Sequence, residues 1–306
     1  MDAEQNNAVL VTGGRGFIGR AVVKLLRCEG YRVVSLDTSA LNAAGDDCES
    51  VRDVLCDISN ADDLRRVFEA QPIGGIIHLA AILPTAAQRE PVRATRVNID
   101  GGVHLLEMAR RFSVRSVVFG SSLSIYGTCA ADRVVSEMDV AAPEDLYGAA
   151  KLYVEQVGQV YHDLYDLEFI SLRIGRVVGP GAQSVTSAWR SEIFELLGSK
   201  QPVEITVPYV GPERLLLVHV DDVARMLMML LRTPHPGHAI YNAPCESMLV
   251  ADLKREVEAM NGNINVKLGE AFAAGNPRLL DSNRFSDEFS FTTLAIGERL
   301  RRAREI

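Results

Sequence analysis

The run Ala8-Val9-Leu10-Val11, followed by Thr12-Gly13-Gly14-Arg15-Gly16-Phe17-Ile18-Gly19, limits this chain to few architectures. A short apolar segment, glycine punctuation and the apolar periodicity of Phe17 to Arg27 read as strand, tight turn and helix. Gly13 permits the tight turn, Gly16 lets backbone approach a pyrophosphate, and Gly19 lets helix and strand pack closely. Free backbone N–H groups and the helix dipole then face the phosphates. A plain glycine turn is the alternative, and the acid that ends the next apolar run, Asp37 after Arg32–Leu36, weighs against it. A carboxylate there accepts hydrogen bonds from ribose hydroxyls and repels the extra phosphate of NADP, so NAD is the expected cofactor. Arg15, inside the loop, offers that phosphate a partner and keeps NADP open. Asp57, followed by Ile58, is either near the adenine edge or a loop carboxylate or helix N-cap ahead of Asp62.

The first half of the chain alternates strand and helix signals. Strands are expected at Ala8–Val11, Arg32–Leu36, Val51–Leu55, Gly75–Leu79, Ser116–Gly120 and Phe169–Ile174, and longer helices at Asn98–Phe112 and Tyr147–Tyr165. That rhythm predicts an α/β fold with a doubly wound parallel (Rossmann) sheet covered on both faces. After Gly179-Pro180-Gly181 it changes. Helical patterns at Ser184–Leu197, Asp222–Leu231 and Leu249–Ala259 alternate with short strands, including one near Ala239–Asn242. The expectation is a dinucleotide-binding domain over 1–178 and a smaller C-terminal α/β substrate lobe over 179–306, with about 215–245 returning to the first domain.

Charge narrows the partners. The net charge of −8 and the pI of about 5.4 argue against nucleic acid, which needs a concentrated basic surface. Met1–Ala8 lacks the apolar core of a signal peptide, and no apolar run reaches membrane-spanning length. Cys28, Cys48, Cys56, Cys129 and Cys245 are scattered and without metal-type spacing. They read as reduced packing thiols, which makes the cytoplasm the expected compartment and leaves no metal site.

Tyr147 and Lys151, four residues apart on an expected helix, share one face. An isolated phenol, with a pKa near 10, is too weakly acidic to serve as a base at neutral pH. A cationic Lys one turn away and a positive nicotinamide ring both favour the phenolate. Tyr147 can then take a proton from a carbinol hydroxyl as hydride leaves the same carbon. Ser122, just past a buried strand, can hydrogen-bond the reacting oxygen. A Tyr-x-x-x-Lys pair alone reads as a solvated surface pair; the dinucleotide loop and Gly120-Ser121-Ser122 upstream turn the reading toward chemistry.

These segments together resemble the extended short-chain dehydrogenases/reductases of the NAD-dependent epimerase/dehydratase family. Thr12–Gly19 is similar to their TGxxGxxG loop, His78-Leu79-Ala80-Ala81 to HLAA, and Val97–Gly101 to the NVxG helix start. Ser121–Gly127 is similar to SSxxxYG, Tyr147–Lys151 to YxxxK, Leu172-Arg173 with Gly179-Pro180 to LR…GP, and Val218–Ala224 to VxVDDVA. The resemblance implies that Ser122, Tyr147 and Lys151 are catalytic. It further implies that Gly13, Arg15, Gly16, Phe17, Ile18, Gly19, Asp37, Asp57, Ile58, Leu79, Ala80, Ala81, Asn98, Tyr147 and Lys151 line the cofactor. Asn98 is otherwise a helix cap, His78 a core histidine, and Asp221 and Asp222 are helix caps that help position the lobe.

Dehydratases of the family carry an Asp-Glu pair just after the catalytic Ser or Thr, where this chain has Leu123 and Ser124. Members that bind sugar nucleotides carry Asn in an LRxxNVxGP segment, where this chain has Arg176, and Tyr209–Arg214 replaces their GDG…RDF stretch. Thr85, Ser122, Ser124, Arg176, Arg190 and Arg214 are the candidates for substrate contact, the arginines being suited to an anion or else to ion pairs. The expected reaction is NAD-linked oxidation of a carbinol on a sugar-derived substrate, with a sugar acid favoured. A nucleotide-sugar 4-epimerase and a non-catalytic dinucleotide sensor are the alternatives. Relatives that dimerise through two long helices make a homodimer the expected assembly.

Overall fold

Seven short strands form one parallel sheet in the computed structural model, which describes residues 7–39, 50–129, 132–182 and 187–304. Across the sheet they run Ile240–Asn242, Glu168–Ile174, Ser116–Ser122, Ile73–His78, Ala8–Thr12, Val33–Asp37 and Val51–Leu55. The inner strands are apolar on both faces because helices cover both. Along Ala8–Thr12, Val9 and Val11 enter one core with Val22, Leu26, Val223 and Leu227. Leu10 enters the other, with Leu64, Leu105, Phe119 and Val154. Burial of one such side chain contributes about 1.5–3 kcal/mol. Val51–Leu55 alternates poorly and is largely exposed, as an edge strand can be.

The strand order turns at Ala8–Thr12, which has Val33–Asp37 on one side and Ile73–His78 on the other. A crevice opens at the C-terminal ends of the strands at such a point. Strand Ile240–Asn242 pairs with Ser171–Arg173 at the opposite edge, and helix Val220–Arg232 packs into the same core as helix Phe17–Cys28. The smaller body holds a three-stranded sheet of Arg176–Val178, Arg214–His219 and Glu246–Leu249, and a parallel pair, Val203–Tyr209 with Ile264–Ala271. Trp189, Phe194, Leu253, Val257 and Leu300 fill its core.

Local chemistry moved some boundaries. The helical stretch expected from Asn98 starts at Pro91 and passes through a π-turn, Arg96–Asp100, into Gly101–Arg111. The extra residue of that turn rotates Asn98 inward, where it is buried. Helix Ala61–Ala70 is capped by Asn60, whose side chain accepts from the N–H groups of Asp62 and Asp63. Asp57 instead accepts from the Ser59 N–H and hydroxyl. The helix expected over Ser184–Leu197 spans Trp189–Glu195, and residues 183–186 lie outside the described residues. No helix among the described residues is long and apolar enough to cross a membrane.

Candidate active site

The glycine loop can only be glycine where it turns and where it touches. Gly13 has φ +68°, and a Cβ there would stand 2.8 Å from the Ala80 nitrogen. A Cβ on Gly19 would stand 2.0 Å from the Gly13 carbonyl oxygen. The loop therefore lies against Leu79–Ala80 and under the start of helix Phe17–Cys28, which leaves the backbone open to a pyrophosphate. The Thr12 hydroxyl accepts from the Leu79 and Ala80 N–H groups, each at 3.2 Å, and bonds His78 Nδ1 at 2.7 Å. With two donors already on that oxygen, its own proton goes to His78, so Nδ1 is the acceptor and the ring is neutral. Burial, then the nearby Lys151 charge, pushes His78 down to about 3.

Asp37 closes the loop's other end. Its carboxylate accepts from the Arg15 N–H at 3.2 Å and from the Ser39 N–H and hydroxyl at 3.0 Å. The Arg15 guanidinium is paired with Asp53 at 3.4 Å and donates to the Ser39 carbonyl. Its charge is thereby engaged by a carboxylate, which fits NAD better than NADP. Asn98 clamps the strand exit, accepting from the Ile82 N–H at 2.7 Å and donating to the Ile82 carbonyl at 3.0 Å. It thus fixes the Leu79–Ala81 segment, while Ile58 is buried against Gly101 and Thr85 is exposed on the short helix Pro84–Arg89.

Ser122 ends its strand, accepts from the Ser124 N–H and donates to the Ser124 hydroxyl, both at 3.1 Å. Tyr147 lies in the first turn of helix Leu146–Tyr165, whose N-cap Asp145 accepts from the Gly148 N–H at 2.6 Å. Lys151 is buried; its ammonium donates to the Gly120 carbonyl at 2.7 Å and sits 5.5 Å from the Tyr147 ring centre. Burial, reinforced by Asp145, pushes the Tyr147 phenol up to about 12, against a hydrogen bond with Ser122 that lowers it. Burial pushes Lys151 down to about 7, opposed by Glu155. The lysine lies close to the tyrosine as its spacing requires, and burial dominates the surroundings of the phenol.

Arg176 follows the bend at Gly175, just beyond strand Glu168–Ile174, whose Ile174 pairs with Ser122. It is buried, and its guanidinium lies 5.6 Å from the Tyr209 ring centre. Arg190 hydrogen-bonds Tyr209, and burial followed by the Arg176 charge lowers its pKa. Its buried Nε has no hydrogen-bond partner. No carboxylate among the described residues pairs with either guanidinium, whereas Arg214 donates to the Ser247 carbonyl at 3.1 Å.

Sequence reasoning missed a buried polar chain behind the helix that carries Tyr147 and Lys151. Arg173 pairs with Glu155 at 2.7 Å and donates to the Tyr126 hydroxyl at 2.7 Å, which in turn donates to Asn242 Oδ1 at 2.8 Å. The available signal was an arginine between Leu172 and Ile174 in an expected strand of the buried sheet, a position that demands a partner.

The profile of the NAD dependent epimerase/dehydratase family matches residues 9–243. The uronate dehydrogenase of Pseudomonas syringae pv. tomato is 26% identical over 235 residues, covering 76% of this chain and 73% of that protein. The UDP-glucuronate 4-epimerase of Thermodesulfobacterium geofontis is 31% identical over 229 residues, covering 71% of this chain and 69% of that one. Among solved structures, a UDP-glucose 4-epimerase of Thermus thermophilus in complex with NAD superposes with a TM-score of 0.80 at 25% identity, covering 97% of this chain and 98% of that one.

Proposed function

Because this chain belongs to the NAD-dependent epimerase/dehydratase family, we propose that it oxidises a carbinol carbon of an acidic sugar-derived substrate, with Tyr147 as acid and base. When bound, NAD supplies the hydride acceptor. Gly13, Gly16 and Gly19 cradle its pyrophosphate beside Arg15, Phe17 and Ile18, and Asp37 takes the adenosine ribose. Asp57 and Ile58 border the adenine, and Leu79, Ala80, Ala81 and Asn98 line the floor. Ser122 holds the reacting oxygen, Tyr147 carries its proton, and Lys151 stabilises the phenolate. Ser124, Thr85 and Arg214 border the substrate, whose lobe is the body built around Trp189 and Leu253.

One observation carries the acidic substrate: Arg176 and Arg190 converge on Tyr209 with no carboxylate among the described residues paired to either. Two guanidiniums brought together under burial repel each other, and an anion between them removes that cost. The names of two relatives, a uronate dehydrogenase and a UDP-glucuronate 4-epimerase, support a sugar acid. Arg176→Ala is expected to weaken binding of such a substrate by about 10–150-fold, the equivalent of about 1.5–3 kcal/mol for a charge-assisted hydrogen bond. Isothermal titration in the presence of NADH measures this, and an unchanged affinity rules out the anion site. The epimerase relative, at 31% identity, favours a second reading in which the ketone is re-reduced from its other face.

Leu146, Tyr153, Val160 and Leu164 are exposed along one side of helix Leu146–Tyr165. Their spacing makes an apolar strip suited to a second copy of the same helix. The expected assembly is a homodimer, and light scattering should give twice the chain mass of 33.5 kDa. A mass of one chain refutes it. The four described cysteines are free thiols, Cys48 lying outside the described residues, and we assign the enzyme to the cytoplasm.

A further inference from the structure

One helical turn beyond Lys151, Glu155 projects from the same helix into the protein with only 4% of its surface exposed. Its carboxylate accepts from the Ser171 hydroxyl at 2.7 Å and from Arg173 Nε and Nη2 at 3.1 and 2.7 Å. The remaining arm of Arg173 goes to Tyr126, the last residue of the 3-10 turn Leu123–Tyr126 that follows Ser122. Tyr126 passes the chain on to Asn242, at the sheet's edge strand, and the Asn242 N–H donates to Glu137 at 2.7 Å. A single polar chain therefore joins the helix of Tyr147 and Lys151, the turn after Ser122 and the returning strand.

The surroundings of Lys151 give the carboxylate a second role. Facing the ammonium are the Tyr147 ring on its own helix, and the Phe119 ring and Gly120 carbonyl from strand Ser116–Ser122. His78 faces it from strand Ile73–His78 and is neutral. Arg173 is occupied by Glu155 and Tyr126. Glu155 is therefore the negative charge that acts on Lys151, opposing the burial that favours a neutral amine.

We propose that Glu155, held by Ser171 and Arg173, is a positioning residue that keeps Lys151 cationic and ties the catalytic helix to the Ser122 turn. It touches neither substrate nor cofactor; it acts through Lys151 and through Arg173–Tyr126. The inference rests on the assignment of Lys151 as the cation that supports the tyrosinate.

The chain has five lysines, Lys24, Lys151, Lys200, Lys254 and Lys267, so [ε-13C]lysine NMR gives a sparse spectrum in which K151M identifies the signal of interest. In Glu155→Gln the Lys151 titration midpoint is expected to fall by roughly one pH unit or more, since a favourable charge has been removed. Glu155→Asp, which keeps the charge, is expected to leave the midpoint near that of the parent protein. A midpoint in folded Glu155→Gln equal to the parent's overturns the proposal. Should that variant not fold, because Arg173 is left buried and unpaired, the double variant E155Q/R173Q removes both charges. Loss of the Arg173 cation offsets part of the loss of the carboxylate, so a smaller downward displacement is expected there, and no displacement at all overturns the proposal. In turnover the basic limb of the pH profile should move down with the midpoint, whereas a merely structural defect lowers the profile without moving it. The NMR titration needs no substrate, so a wrong substrate assignment leaves its outcome intact.

Discussion

Tyr147→Phe is expected to reduce turnover by about 10²–10⁴-fold, the usual contribution of a positioned acid–base group, with NADH affinity left close to that of the parent protein. The substitution removes one oxygen and keeps the ring that packs beside Lys151. Ser122 loses its hydrogen bond to the phenol, but its bonds to Ser124 remain. Single-turnover kinetics with NADH fluorescence separates the two effects. Full turnover in this variant would falsify the assigned chemistry. Loss of cofactor binding would instead mean that the phenol is part of the cofactor's seat.

The largest effect on stability is expected from Arg173→Met. It leaves Glu155 buried with only Ser171 as a hydrogen-bond donor, and an uncompensated buried charge costs about 3–5 kcal/mol. Spread over a chain of this size, that loss lowers the melting temperature by on the order of 10 °C. Calorimetry near neutral pH reads it directly. A change below about 1 kcal/mol, typical of an exposed pair, would mean that the pair is solvated rather than enclosed.

The fold was legible because its strands are short apolar runs closed by turn chemistry, and the alternation of strands with helices fixes a parallel sheet. The glycine loop was legible for a narrower reason. Gly13 needs a positive φ and Gly19 has no room for a Cβ, so each residue type follows from backbone geometry. Tyr147 and Lys151 stood out through helical spacing combined with the glycine loop and Gly120-Ser121-Ser122 upstream. Long-range pairing was not legible. Glu155 and Arg173 are 18 residues apart on a helix and a strand, and nothing local in either segment points to the other.

Arg176 and Arg190 were visible as charges, but their convergence on Tyr209 depends on how strand Val203–Tyr209 and helix Trp189–Glu195 pack in the smaller body. The inward turn of Asn98 follows from one extra residue in the π-turn Arg96–Asp100, which helical periodicity does not encode. The electrostatics were the least legible. Burial, reinforced by Asp145, pushes the Tyr147 phenol up to about 12, and helical spacing does not encode that burial.

The central claim, NAD-linked oxidation of an acidic sugar by this site, is tested most directly by incubating the protein with NAD and a panel of uronic acids, neutral sugars and nucleotide sugars. NADH absorbance and carbohydrate NMR are followed together. The account predicts that NADH accumulates with a uronic acid and that the carbinol signal of that sugar disappears. A new stereoisomer of a nucleotide sugar, formed without net NADH, would contradict it and make the protein an epimerase.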